Sequence, residues 1–161
     1  MDGEDYTHSQ LVNVEFDGNE AISSGGKGGG LFNYQSSPLL INVVFAQNSA
    51  YYYGGGIGNY KSSPTLTNVS FSLNTAPNGA GIYNSENSHP IIHNSILWGD
   101  TTGEIYNDLT FAASTVTIAY SLVQGCNPGG TWNTALCGTS GGNNLTVAAP
   151  KFKDPGNYDF H

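Results

Sequence analysis

Only 12 acidic and 4 basic side chains occur in 161 residues, so the places where this chain could do acid–base chemistry are few. Glycoside hydrolysis needs two carboxyl groups about 5–9.5 Å apart. The best-placed acids are Asp100, Glu104 and Asp108, gathered around the turn Gly103-Glu104-Ile105. Charged residues at a turn are equally ordinary without any chemistry, so the three stand as weak catalytic candidates. Glu86 is the only acid between Glu20 and Asp100, and the intervening chain therefore lacks a carboxylate pair. A lyase acting on uronates would need a strong base, commonly Arg or Lys, and carboxylates to hold Ca²⁺ or substrate. Arg does not occur, and the lysines stand at 27, 61, 151 and 153, mostly in turns and tail. His89 and His93 are four apart with Pro90 between them. A strand puts them on one side, yet no Cys or carboxylate completes a metal set nearby. Neither a metal nor a cofactor is expected.

Two other groups of residues invite function. Tyr34 and Tyr60, with the run Tyr51-Tyr52-Tyr53, could offer ring faces to a glycan or protein partner. Rings that merely cover corners and fill gaps are the plainer reading of the same residues. Cys126 and Cys137 bracket a loop containing Pro128, Gly129 and Gly130, which suggests one disulfide and an oxidising compartment. Two free buried thiols are the alternative.

The chain carries 10% charged residues, where a soluble domain averages about 25%. Its formal net charge of −8, without Arg, argues against nucleic acid, whose phosphates are neutralised by Lys and Arg. The same balance disfavours an anionic membrane surface. No apolar run approaches the roughly 20 residues of a membrane span. Residues 1–10 hold three acids and no basic side chain apart from His8, which does not read as a signal peptide.

The elements that position these residues come from an internal repeat. Gly28-Gly29-Gly30-Leu31-Phe32-Asn33-Tyr34 aligns with Gly54-Gly55-Gly56-Ile57-Gly58-Asn59-Tyr60 at an offset of 26. The same offset carries Leu40, Asn42, Val43, Phe45 and Asn48 onto Leu66, Asn68, Val69, Phe71 and Asn74. A third copy runs through Gly79, Gly81, Ile82, Asn84, Ile92, Asn94, Leu97 and Asp100, and a weaker fourth through Ile105, Asn107, Ile118 and Val123. Leu11, Asn13, Val14, Phe16 and Asn19 fit the frame at an offset of 29. Such units are too short and too rich in Gly and Pro for helices, and their Val, Ile, Thr and Phe alternate in short segments. Each unit reads as one coil of a parallel β-solenoid, all-β, with about five coils in the chain.

Stacking places equivalent residues in columns. Leu11/Leu40/Leu66/Ile92/Ile118, Phe16/Phe45/Phe71/Leu97/Val123 and Leu31/Ile57/Ile82/Ile105 are apolar. Asn13/Asn42/Asn68/Asn94 and Asn33/Asn59/Asn84/Asn107 are polar, and stacked amides can satisfy one another inside a coil. Both polar columns are expected to face inward. The sequon Asn68-Val69-Ser70 is accordingly read as structural. The outward column Val12/Ile41/Thr67/His93/Ala119 is too irregular for an ice-binding row of Thr.

Phe16-Asp17-Gly18-Asn19, Phe45-Ala46-Gln47-Asn48 and Phe71-Ser72-Leu73-Asn74 resemble the F-x-x-N repeat of polymorphic outer-membrane proteins, and Gly29-Gly30-Leu31 and Gly55-Gly56-Ile57 resemble its G-G-x-I companion. The likeness spans roughly residues 11–125. It implies a right-handed parallel β-helix, similar in fold to pectate lyase, in a secreted or surface protein of bacteria. The segment Pro150–His161 is similar to the D-P-x-F-x-D…G-D-[FY] close that often follows such helices, with Ala149 where that pattern has Asp.

The organisation expected is residues 1–125 as coils, and 126–161 as the cysteine-bracketed loop and C-terminal cap of the same domain. A solenoid exposes an edge at each end. About ten polar residues before Leu11 are little cover, so the chain is expected to be a piece of a longer β-helix or oligomeric. The leading function is a non-catalytic scaffold, adhesion or binding module for glycan or protein. A polysaccharide hydrolase or lyase on the same fold is the alternative.

Overall fold

A computed structural model of the chain describes residues 9–146 and 150. The tail motif from Lys151 onward, and the acidic opening before Ser9, lie outside the described residues. The strands are β1 (Gln10–Asp17), β2 (Glu20–Ala21), β3 (Leu31–Tyr34), β4 (Leu39–Ala46), β5 (Ser49–Ala50), β6 (Ile57–Tyr60), β7 (Thr65–Ser72), β8 (Ile82–Ser85), β9 (Ile91–His93), β10 (Ile96–Leu97), β11 (Ile105–Asn107), β12 (Thr117–Ala119), β13 (Leu122–Val123) and β14 (Thr139–Gly142). A single turn of helix, α1 (Thr134–Cys137), precedes the last strand. Every strand pairing is parallel, in three stacks: β1-β4-β7-β9-β12-β14 with β10 and β13 alongside, β11-β8-β6-β3, and β2-β5. The chain is a parallel β-solenoid of about five turns, as its repeat requires.

The registers reproduce the apolar columns. Leu11, Leu40, Leu66, Ile92 and Ile118 pair in succession, as do Phe16, Phe45, Phe71, Leu97 and Val123. Phe16, Phe45 and Phe71 stack face to face with centroids 4.8 Å apart. That distance is the strand spacing itself. Each fully buried member contributes about 1.5–3 kcal/mol over its exposed state. The glycines of the repeat let a neighbouring backbone lie against these rings. A Cβ on Gly56 would stand 2.9 Å from the Phe71 ring and 2.7 Å from the Gly81 carbonyl, closer than atoms pack.

One expectation about the polar columns is corrected. Asn13, Asn42, Asn68 and Asn94 are exposed rather than inward-facing. Each has φ between 50° and 57°, a left-handed conformation that Asn tolerates better than most residues. One such residue bends the long strand, and it throws its side chain outward. Asn68 Nδ2 donates to Asn42 Oδ1, and Asn42 Nδ2 to Asn13 Oδ1, each at 3.1 Å, along the outer surface. Burial therefore no longer argues against modification of the Asn68 sequon.

Two amide columns do face inward. Asn33, Asn59 and Asn84 each donate Nδ2 to the Oδ1 of the next member at 2.9 Å, and Asn107 accepts the last of these bonds. The Asn of F-x-x-N forms the second: Asn19 donates to Asn48, Asn48 to Asn74, and Asn74 to Asp100. Beyond it Cys126 and Cys137 are disulfide-bonded, with Cα atoms 5.6 Å apart. Trp132 packs on the core there and donates Nε1–H to the Gly138 carbonyl at 2.9 Å. β14 continues the coils past this loop by pairing with β12. No helix of the described residues is long and apolar enough to cross a membrane.

Candidate functional site

Alternation along β3, β6, β8 and β11 turns Leu31, Ile57, Ile82 and Ile105 inward together with the Asn33 column. The residues between them face the other way. Phe32, Gly58, Tyr83 and Tyr106 form one outer column, and Tyr34, Tyr60 and Ser85 another. This sheet presents an aromatic face to solvent. Tyr34 and Tyr60 stack at 5.1 Å with planes 2° apart, and Phe32 lies 6.5 Å from Tyr34. From the preceding loop Tyr53 lies on Tyr83 at 4.4 Å, and Tyr83 in turn stacks on Tyr106 at 5.7 Å.

Lys27 joins the two stacks. Its Nζ sits 5.6 Å from the Tyr53 ring centre and 5.8 Å from that of Tyr60, within the range of cation–π attraction. Lys61 Nζ lies 5.3 Å from the Tyr60 ring centre as well. Both lysines of the described residues thus stand on one face of an acidic molecule. Tyr52 lies 5.7 Å from Tyr53, and Tyr51 meets Tyr52 edge-on at 4.7 Å.

The five tyrosines singled out from the sequence fall in two ring groups, Tyr34 with Tyr60 and Tyr51 with Tyr52 and Tyr53, and Lys27 bridges them. Phe32, Tyr83, Tyr106, Lys27 and Lys61 belong to the same face and were not anticipated. A signal existed, because Phe32, Tyr83 and Tyr106 each immediately precede a member of the Asn33 column. Reading each aromatic alone hid it. Phe32, Tyr34 and Tyr106 are exposed by 41%, 58% and 44%, whereas Tyr53 and Tyr60 are half-buried and Tyr83 is buried.

At the far end of the face Tyr83 donates its hydroxyl to Asp108 Oδ2 at 2.8 Å. Burial, then the Asp108 carboxylate, push the Tyr83 hydroxyl above its ordinary range. Hydrogen bonds from Thr110 hold the Asp108 carboxyl below its own; the Thr110 N–H donates at 2.8 Å. Asp108 is thus a fixed anion that anchors Tyr83. It is separate from the other two acids.

Asp100 and Glu104 do converge, inside the coil. They are 8% and 4% exposed, and the two oxygens left without hydrogen bonds, Asp100 Oδ2 and Glu104 Oε2, are closed to water. A general acid must reach the atom it protonates, and neither oxygen opens onto a surface. His89 is an exposed loop residue, bonded through Nε2 to Asn87 at 3.0 Å, and His93 is half-buried on β9. Among the described residues no three His, Cys, Asp or Glu side chains gather as metal ligands.

No family model matches the chain, and no curated protein or solved structure matches it either.

Proposed function

We propose that the protein is a non-catalytic binding module, secreted or displayed at a bacterial surface, whose aromatic face takes glycan. The observation that carries this reading is the pair of ring stacks on one face, Tyr34 on Tyr60 and Tyr53 through Tyr83 to Tyr106, with Tyr34 and Tyr106 open to solvent. Aromatic faces are electron-rich and apolar, suited to the C–H surface of a sugar ring. Lys27 and Lys61 add donors for hydroxyl or carboxylate groups on the same face. Strand pairing along a rigid solenoid holds the rings in place before ligand arrives, which lowers the ordering cost of binding. The shielding of Asp100 and Glu104 supports a role without hydrolysis.

The finer assignment belongs to the same proposal: a right-handed, pectate-lyase-like β-helix with repeats of the polymorphic outer-membrane type. The F-x-x-N and G-G-x-I spacing supports it, and the disulfide supports an oxidising compartment. A glycan array followed by titration of the best ligand tests the function. Tyr60→Ala is expected to weaken binding about tenfold or more, as loss of a central aromatic anchor does, and Tyr120→Ala, off the face, to leave it unchanged. Failure to bind any glycan, with capture of a defined protein that Tyr60→Ala abolishes, would replace sugar by a protein partner.

A further inference from the structure

The fourth place in the F-x-x-N column is held by a carboxyl group. Asp100 Oδ1 accepts both the backbone N–H and the Nδ2 of Asn74, at 2.7 and 3.0 Å. Its Oδ2 has no partner, and neither does Oε2 of Glu104, although both atoms are buried. The two side chains lie within hydrogen-bonding reach of each other. Glu104 Oε1 also accepts the Asp100 N–H at 3.3 Å. Gly81 closes the remaining side, where a Cβ would stand 2.6 Å from Asp100 Oδ2. Two ionised carboxylates here would each keep one acceptor oxygen without a donor, and would be desolvated and mutually repelling. A single proton on the pair makes one carboxyl a donor to the other and removes one of the two charges.

We propose that Asp100 and Glu104 share one proton and form an alkali-sensitive clasp, fastening the turn between β10 and β11 to the end of the inner amide column. The groups around the pair are Asn74 from the adjoining coil, the Gly81 backbone and the Gly99 N–H, which donates to Gln124 Oε1 at 2.8 Å. The next place in the column, three beyond the Leu97–Val123 pairing, is Cys126, which is oxidised and does not titrate. Asp108 is engaged elsewhere, by Tyr83 and Thr110. Among the described residues the charge acting on Glu104 is Asp100; burial first, and that charge second, push its carboxyl up to about 10.

The sign follows from linkage. A carboxyl raised in the folded state keeps a proton that the unfolded chain releases. Its stabilisation is complete below the ordinary glutamate value of about 4.3 and is lost as pH rises through the folded value. The clasp also bears on the aromatic face. The Glu104 carbonyl accepts the Ile82 N–H at 2.8 Å, and Ile105 opens β11, which carries Tyr106. Alkaline opening therefore loosens the end of that face, while the earlier coils keep their amide-to-amide bonds.

Denaturant unfolding of the wild type and Glu104→Gln, at each pH from 6 to 9, tests the clasp. The glutamine amide can donate to Asp100 Oδ2 without titrating. The wild-type unfolding constant is expected to rise relative to that of Glu104→Gln by up to about tenfold per pH unit, the linkage of one proton. Parallel profiles overturn the proposal. Carboxyl ¹³C NMR on the wild type needs no variant to fold: one of the two signals is expected to remain that of a protonated acid at pH 7. Titration of both below pH 5 overturns the clasp independently.

Discussion

The two inner amide columns begin alike and end differently. The Asn33 column runs amide to amide as far as Asn107, which is half-buried. Its last Nδ2 can turn to water, so Asn serves even at the end. The Asn19 column ends inside the coil, under the oxidised Cys126. An Asn there would meet no further amide along the column, because Cys126 holds the next place. Asp100 instead accepts from Asn74 and carries no amide hydrogens. The replacement leaves a spare acceptor oxygen, and Glu104 meets it. An amide column can be extended by repetition, whereas ending one inside a protein takes a different residue and a second group to complete it.

The sharpest test of this contrast removes one amide from each column. Asn74→Ala takes the acceptor from the backbone N–H of Asn48 and from one Nδ2 hydrogen of Asn48, whose other bond goes to the Phe16 carbonyl, and it takes a donor from the Phe45 carbonyl. Unmet buried groups cost about 1–3 kcal/mol each and do not simply add, so a loss of about 3–5 kcal/mol is expected. Asn107→Ala takes away one acceptor at a half-buried position and should cost about 1 kcal/mol. Denaturant midpoints, compared at unchanged slope, give both numbers. Equal losses would mean that the two column ends are not distinguished by burial.

The disulfide beyond Asp100 supplies the next effect in size. Replacing Cys126 and Cys137 together by Ser reopens a loop spanning 11 residues and should cost about 2–3 kcal/mol in the chain-entropy account. If the bond also roofs the clasp, hydrogen exchange at the Asn74 amide should quicken while that at the Asn48 amide holds. Equal quickening at both sites would reduce the disulfide to a general constraint.

What the sequence disclosed, and what it hid, divides along the same line. The 26-residue offset placed Leu40 on Leu66 and Phe45 on Phe71, and the strand registers agree residue by residue, because apolar columns follow from spacing alone. Direction did not follow from spacing. Asn42 and Asn59 recur with the same period, but Asn42 has φ 55° and faces solvent while Asn59 is buried; a one-letter pattern carries no φ. The aromatic face was half-read for a related reason. Tyr34 and Tyr60 repeat as identical residues, whereas Phe32, Gly58, Tyr83 and Tyr106 share a column without sharing a residue type. Asp100 and Glu104 looked like acids on a turn, and only burial shows that they finish a column.

The smallest expected effect concerns the outer column, where the bends are. Asn13, Asn42, Asn68 and Asn94 hold the left-handed conformation, and in the next coil Tyr120 holds it with φ 53°. A left-handed residue with a full side chain costs about 1–2 kcal/mol, and Asn avoids part of this by bonding locally. Tyr120 is 57% exposed, so its ring contributes little packing that Asn would forfeit. Tyr120→Asn should therefore stabilise the protein, by about 0.5–1 kcal/mol, while Asn68→Ala, which breaks an exposed amide bond and leaves Ala left-handed, should cost about 1 kcal/mol. The pair has opposite signs because the bend selects for backbone conformation, in contrast to the inner columns, where hydrogen bonding selects. A loss of stability in Tyr120→Asn would show that the tyrosine ring, and not its φ, decides that position.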